Sequence, residues 1–254
     1  MTKTLLTLGD SWTDSEYPGY APNGVVTWAE QVIEKMEGWK LVNLAKEASG
    51  NEKIMKIGVD YLRDNTPDAI CVLWSEQHRE DFYNRHNLMP ISAIYNKSCD
   101  PKSKEIYNIE AVYDSLVNTN LHLNVPREYF RNLYILQSFA DMKGIPIYHG
   151  QGTKLWSKWI YNKVGKKVGN RLWREWLTAF IECEYFEMFD KDHKNFVGWP
   201  MQHGITKHGF AFTERMDGRH RISGDDPHPN TKGHEMIAYE FLKKLKAKET
   251  IVNA

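Results

Sequence analysis

The chain alternates between short, nearly continuous apolar runs and longer stretches in which apolar residues recur every three or four positions. The continuous runs are typical of strands buried in a parallel sheet, and the wider spacing is typical of helices that cover it. The predicted strands are Lys3–Gly9, Trp39–Ala45, Asp68–Ser75 and Ile145–Gly150. The predicted helices are Val25–Gly38, Asn51–Asn65, Arg127–Gly144 and the second half of the stretch Asp225–Lys248.

Strands that alternate with helices in this way predict βαβ units, and therefore a parallel sheet with helices on both faces. A chain of 254 residues can form one such domain with insertions. We therefore expect a single α/β domain over residues 1–254. The pattern loosens over about 76–126 and 151–224, which we expect to be insertions that contain helices over Asn108–Leu121 and part of Gly169–Phe189.

Composition and charge exclude several classes of protein. Lys and Arg together number 33, as do Asp and Glu, and this zero net charge argues against general binding to nucleic acid or to an anionic membrane. No window approaches the roughly 18 apolar residues of a membrane span, and "MTKTLLTLG" is too short for a secretory signal, so we expect a cytoplasmic protein. The three scattered cysteines are too few for a disulfide framework or a zinc site.

Residues that can carry out covalent chemistry lie after the predicted strands and near the end of the chain. Ser11 follows the first strand in "LLTLGDSWTD", and "DDPHP" supplies His228 together with the carboxylates Asp225 and Asp226. A serine nucleophile needs such a base and a carboxylate that orients it. Backbone N–H groups at Ser11 and Gly50 are suited to stabilise an oxyanion. The alternative for Ser11 is a turn serine that caps the next helix.

Three motifs in this order resemble blocks I, II and V of the SGNH (GDSL-type) hydrolases: "GDS", "NLAKEASGN" and the late "DxxHP". The resemblance implies a flavodoxin-like three-layer α/β/α sandwich and ester hydrolysis by a Ser-His-Asp triad. It implies Ser11 as the nucleophile, His228 as the base, Asp225 as the orienting acid and Gly50 as an oxyanion donor. The family spacing favours Asp225 over Asp226 as the acid.

The end of the third predicted strand departs from the family pattern. Block III of the family is "GxND", whose Asn donates to the oxyanion, whereas this chain has "VLWSEQHRED". We expect Ser75 to replace that donor and Arg79 to contact an anionic part of the substrate. Loss of one oxyanion donor typically lowers the rate about 10²–10³-fold. The variant block resembles that of SGNH-like proteins encoded by bacteriophages, so a binding or structural protein, such as a virion component, is an alternative.

The expected function is therefore removal of acyl groups, such as O-acetyl groups, from a small ester or an acylated glycan. The triad alone does not separate a hydrolase from an acyltransferase, and a homo-oligomer is left open. Asp10 is expected to anchor the turn around Ser11 by accepting backbone hydrogen bonds. His203 and His208 do not have a usual zinc-ligand spacing, and "GQGTKLW" lacks the spacing of a phosphate loop, so no metal or cofactor is expected.

Overall fold

The computed structural model describes residues 2–76, 124–153 and 211–252, together with 175, 178–179, 182–185 and 195–197. The predicted helix over Asn108–Leu121 lies outside the described residues, as does most of Gly169–Phe189. Within the described residues, no helix combines the length and the apolar character that crossing a membrane requires.

The described residues form one sheet of five parallel strands in the order β2-β1-β3-β4-β5. This order is the flavodoxin-like one, which confirms the expected fold class. The sequence pattern did not predict β5, because a strand of two residues is too short to show a periodicity. The strands are β1 (Lys3–Gly9), β2 (Trp39–Asn43), β3 (Ala69–Trp74), β4 (Ile147–Gln151) and β5 (Phe196–Val197).

Helices cover both faces of the sheet and complete three layers. One apolar cluster joins one face of the sheet to α2 and α3, and a second joins the opposite face to α1, α4 and α5. The helices are α1 (Trp28–Glu34), α2 (Asn51–Asp64), α3 (Asn124–Met142), α4 (Phe212–Arg215) and α5 (Thr231–Val252). Short 3₁₀ turns lie at Ala21–Asn23 and Gly218–His220.

The central strands explain the continuous apolar runs of the sequence. In β3, Ile70 and Val72 pack toward α2 and α3, whereas Cys71 and Leu73 pack toward α1 and α5. All six residues of β3 are buried. A strand that is covered on both faces needs apolar side chains at every position, which removes the alternation of a half-exposed strand.

The first helix begins later than the periodicity predicts. Val25 and Val26 precede it, and Thr27 is its N-cap. The Thr27 N–H donates to the Glu30 carboxylate at 2.7 Å, while the Glu30 N–H donates to the Thr27 hydroxyl at 3.5 Å. This capping box fixes the start of α1 at Trp28.

The strand order reverses direction at β1, and this reversal marks one end of the sheet. The chain passes from β1 to β2 on one side and then returns to β3 on the other side of β1. Gly9, at the end of β1, lies opposite Leu73 in β3. Ser11 and Ser75 therefore follow adjacent strand ends at the point where the strand order reverses, which is where parallel α/β sheets bind ligands.

Candidate active site

The turn that carries Ser11, called here the nucleophile turn (residues 10–14), is held by Asp10. The backbone carbonyl of Asp10 accepts the N–H of Asp14 at 3.0 Å. One oxygen of the Asp10 carboxylate accepts the N–H of Trp12 at 3.0 Å. These bonds confirm that Asp10 anchors the turn. Ser11 is only 7 % exposed, so its side chain is largely shielded from bulk water.

His228 lies between Ser11 and a carboxylate. Its Nε2 is 2.9 Å from Ser11 Oγ, and its Nδ1 is 2.6 Å from Asp226 Oδ1. A carboxylate only accepts, so Nδ1 carries the proton and Nε2 of the neutral ring accepts the Ser11 hydroxyl. Burial opposes ionisation of Asp226, but hydrogen bonds from the His228 backbone and ring outweigh it and hold the pKa of Asp226 below its usual value.

The structure does not place Asp225 beside the His228 imidazole as expected, because Asp226 occupies that position. Asp225 is exposed, and its N–H donates to the Ser223 hydroxyl at 3.2 Å. The reason lies in the Asp-Pro-His sequence. Pro227 restricts the backbone, and Asp226 turns back to accept the N–H of His228 at 3.0 Å as well as the ring N–H. Two residues of spacing are therefore enough to bring the carboxylate to the imidazole.

Asn230 fixes the segment that carries His228. Its side-chain amide donates to the carbonyls of Arg219 and Arg221, both at 2.9 Å. Its side-chain oxygen accepts the N–H groups of Lys232 and Gly233 at 3.0 and 3.1 Å, in the first turn of α5. One side chain thus ties the start of α5 to the preceding loop, and the position of the imidazole follows from how α5 packs.

The structure does not present the Ser75 hydroxyl as the expected oxyanion donor, because it directs this group to Asp10. Its hydroxyl donates to the second oxygen of the Asp10 carboxylate at 2.7 Å, and the residue is fully buried. Its N–H donates to the Asn51 side chain at 3.0 Å. A short side chain that is committed to a buried carboxylate has no proton left for a substrate. Ser75 instead links the end of β3 to the nucleophile turn.

A buried polar network supports Ser75 from below. The Gln151 amide donates to the Ser75 carbonyl at 2.9 Å and accepts the Tyr129 hydroxyl at 2.5 Å. The Asn51 amide donates to the Glu76 carbonyl at 3.0 Å. Sequence reasoning missed Gln151 and Asn51, although both are polar residues at the end of a buried strand or at the start of a helix, where a buried polar side chain needs partners.

The loop after β2 is tied to the nucleophile turn. The Asp14 carboxylate, which is 6 % exposed, accepts the N–H of Glu47 at 2.8 Å. The next residue, Ala48, has a φ of 58°, a backbone angle that residues other than Gly rarely adopt. Gly50 follows as the buried N-cap of α2. Asp14 was not expected from the sequence, and it holds this strained loop beside Ser11.

The roles of Gly50 and Arg79 stay predictions. The structure brings the loop of Gly50 next to the nucleophile turn through Asp14, and a second bond joins the Asn43 amide to the Thr13 carbonyl at 2.8 Å. Arg79 lies outside the described residues.

Two further histidines, His149 and His234, are buried and do not bond Ser11, His228 or Asp226. His149 accepts the Trp74 indole N–H at Nδ1, and its Nε2 is 3.0 Å from the Gln137 side-chain oxygen. Among the residues that the structure describes, none forms a hydrogen bond with the ring nitrogens of His234. Burial lowers the pKa of each to about 3. In the part of the chain that the structure describes, no group of His, Cys, Asp or Glu residues could hold a metal ion.

The fold is that of the SGNH (GDSL-type) hydrolases. A solved structure of the psychrotrophic esterase EstA from Pseudoalteromonas sp., inhibited by monoethylphosphonate, aligns with a TM-score of 0.50 at 11 % identity and covers 98 % of this chain and 99 % of EstA. TesA aligns with a TM-score of 0.49 at 12 % identity, over 96 % of this chain and 99 % of TesA. No protein-family model and no curated protein matches the sequence. At these identities the likeness concerns the fold alone.

The bond from Ser75 to Asp10 is expected to stabilise the fold. Ser75→Ala leaves a buried carboxylate without one of its donors, which typically costs about 1–3 kcal/mol. Ser49→Ala is the matched control, because Ser49 is equally buried but its hydroxyl forms no hydrogen bond with the described part of the chain. Urea denaturation of both variants should show a lower free energy of unfolding for Ser75→Ala and little or no change for Ser49→Ala. Equal losses would contradict the assignment.

The buried histidines are expected to make the fold sensitive to acid. Between the ordinary value of 6.5 and about 3, the unfolded chain binds protons that folded His149 and His234 do not. Stability therefore falls as the pH falls through this window, by up to about 1.4 kcal/mol per pH unit for each histidine. In His234→Phe the loss between pH 7 and pH 5 should be smaller than in the wild type. An unchanged loss in chemical denaturation would refute this expectation.

Proposed function

We propose that the protein is a serine-dependent ester hydrolase. The observation that carries the proposal is the hydrogen-bonded row from Ser11 through His228 to Asp226, with contacts of 2.9 and 2.6 Å. A serine, a neutral imidazole and a carboxylate in this order are the groups that activate a hydroxyl for attack on an acyl carbon. The row lies beside the point where the strand order reverses, at the carboxyl ends of the strands, which is where parallel α/β sheets bind ligands.

In the proposed reaction, Ser11 Oγ attacks the acyl carbon while His228 Nε2 takes its proton. Asp226 holds the Nδ1 proton and stabilises the imidazolium that forms. The imidazolium then gives its proton to the departing alcohol, which leaves an acyl group on Ser11. Water attacks this ester with His228 again as the base, and the carboxylic acid leaves as Ser11 recovers its proton.

The negative charge on the acyl oxygen is assigned to backbone donors. The N–H groups of Ser11 and Gly50 are the proposed pair, and the bonds of Asp14 support them because they hold the two loops together. Donors that are fixed before the reaction stabilise the developing charge without reorganisation. Arg79 is proposed to contact an anionic part of the substrate.

Acyl esters, with O-acetyl groups on a carbohydrate as the first class to test, are the proposed substrates. The rate of acetate release is compared between an O-acetylated oligosaccharide and 4-nitrophenyl acetate. The ratio of the two rates measures how much the alcohol part of the substrate contributes to turnover. Transfer of the acetyl group to an added sugar, in place of its release to water, would indicate the acyltransferase alternative.

A fluorophosphonate probe is expected to label Ser11. The wild type should be labelled and should hydrolyse 4-nitrophenyl acetate, and Ser11→Ala should lose both properties because the attacking oxygen is gone. Ser15→Ala, at an exposed serine of the same loop, should keep both. A folded wild type that is neither labelled nor active, but binds glycans, would replace the proposal with a binding protein.

The two neighbouring carboxylates are expected to differ in their effect on turnover. Asp226→Asn removes the acceptor that holds the Nδ1 proton, and in serine hydrolases such a change lowers kcat by up to about 10⁴-fold. Asp225→Asn changes an exposed carboxylate of the same loop and should leave kcat close to that of the wild type. Steady-state kinetics of the two variants give the comparison. The opposite order would restore Asp225 as the acid.

A further inference from the structure

One side chain outside the triad contacts both His228 and Asp226. The Tyr17 ring stacks on the His228 imidazole, with 4.1 Å between the ring centroids and 29° between the planes. The Tyr17 hydroxyl lies 3.4 Å from Asp226 Oδ2, the oxygen that does not bond the imidazole. This is a long hydrogen bond, but its acceptor is a carboxylate, which strengthens it.

The surroundings of Tyr17 restrict its position. The backbone N–H of Tyr17 donates to the Asp14 carbonyl at 3.2 Å, and the Tyr20 ring meets the Tyr17 ring edge-on at 4.9 Å between centroids. Gly19 lies close to the Tyr17 ring. A Cβ at Gly19 would come within 2.6 Å of the Tyr17 ring and 3.0 Å of Asp226 Oδ2. Tyr17 is therefore confined between its own loop and the Asp-Pro-His turn.

Tyr17 stays a hydrogen-bond donor at neutral pH. Burial and the negative charge of Asp226 raise the pKa of its hydroxyl above the ordinary value of 10.0. The proton needed for the bond to Asp226 is thus present throughout the pH range in which a His-based reaction runs.

We propose that Tyr17 is a positioning residue of the triad, with its ring holding the imidazole toward Ser11 and its hydroxyl holding the Asp226 carboxylate. The inference rests on the proposed function. Without the ring, the contacts that hold the imidazole within the described residues are those of its nitrogens, its backbone and the edge of the more distant Tyr20 ring, and the imidazole can swing about its side-chain bonds. With the ring, one face of the imidazole is covered and its plane is set.

The two parts of Tyr17 act on the charged imidazole in opposite directions. The face of an aromatic ring attracts a cation, so stacking favours the imidazolium that forms when Ser11 loses its proton. The hydroxyl bond partly neutralises Asp226 and so weakens the attraction of that carboxylate for the imidazolium. Phe retains the first effect and loses the second, whereas Leu loses both.

The other side chains near His228 are the same in the wild type and in the variants at position 17. Differences between variants at position 17 therefore report on Tyr17 itself. The groups around the His228 ring and the two tyrosines are Ser11, Asp226, Tyr20, His234, Asp10, Asp14 and Glu47.

The test is the dependence of kcat/KM on pH for Tyr17→Phe and Tyr17→Leu. The midpoint of the acid limb is expected to rise by about half a pH unit in Tyr17→Phe, and to lie about half a unit lower in Tyr17→Leu than in Tyr17→Phe. Tyr17→Leu is also expected to lower kcat about ten-fold with little change in KM, because misorientation of a catalytic group acts on the chemical step. Tyr17→Phe should recover most of that loss.

Two further variants separate positioning from a general effect on the fold. Tyr20→Phe removes a buried hydroxyl of the same loop that bonds no group in residues 2–76, 124–153 or 211–252, and it should leave the acid limb where it is. Gly19→Ala leaves the Tyr17 and Asp226 side chains in the sequence but pushes on the Tyr17 ring, and less closely on Asp226 Oδ2, so it should lower kcat in the same way as Tyr17→Leu. It remains informative if Tyr17→Leu does not fold.

The outcomes distinguish this inference from the proposed function. A wild type that is labelled and active, with Tyr17→Phe and Tyr17→Leu matching it in kcat and in pH profile, overturns the role of Tyr17 alone. Loss of stability in Tyr17→Leu with unchanged kcat also overturns it. A wild type without labelling or turnover overturns the proposed function itself.

Discussion

A carboxylate buried at the end of the first strand sets the position of Ser11. Asp10 is 3 % exposed, and removing such a group from water is unfavourable unless its oxygens find donors. One oxygen accepts the N–H of Trp12, and the other accepts the hydroxyl of Ser75 from the neighbouring strand. In this shape, the turn around Ser11 places donors at both oxygens of Asp10. Because the buried Asp10 carboxylate must be paired, the neighbouring Ser11 hydroxyl is held in one position.

The second half of the site depends on how two helices pack on the other face of the sheet. Trp28 of α1 stacks on Phe241 of α5 with 4.5 Å between ring centroids. The Gln31 amide of α1 donates to the Thr231 carbonyl at the start of α5, at 3.1 Å. Asn230 joins that start to the loop before it, so the apolar contact between α1 and α5 determines where His228 lies. Core packing and the hydrogen-bonded row are parts of one arrangement.

The sequence predicted the parallel sheet and most helices because continuous apolar runs and helical spacing follow directly from burial on two faces or one. It also brought Ser11 and His228 forward as partners. The family spacing favoured Asp225 over Asp226, but the position of the carboxylate depends on the backbone shape of the Asp-Pro-His turn rather than on residue type or spacing.

The error at Ser75 has a related physical reason. A serine at the end of a buried strand can face a ligand or satisfy a polar group beneath it, and only the three-dimensional position of Asp10 decides between these roles. Asp14 and Gln151 were missed for the same reason. Each is a polar residue whose partners lie far away in the sequence, so no local pattern shows what it bonds.

Ser11 and His228 are 217 residues apart in the chain. Under the proposed chemistry, a growing polypeptide holds its serine long before it holds a base, and it gains the base only when α5 docks against α1. Turnover would therefore begin only once α5 has docked, and it would report that this contact has formed. A nascent or partly folded chain would be inert toward esters in the cell.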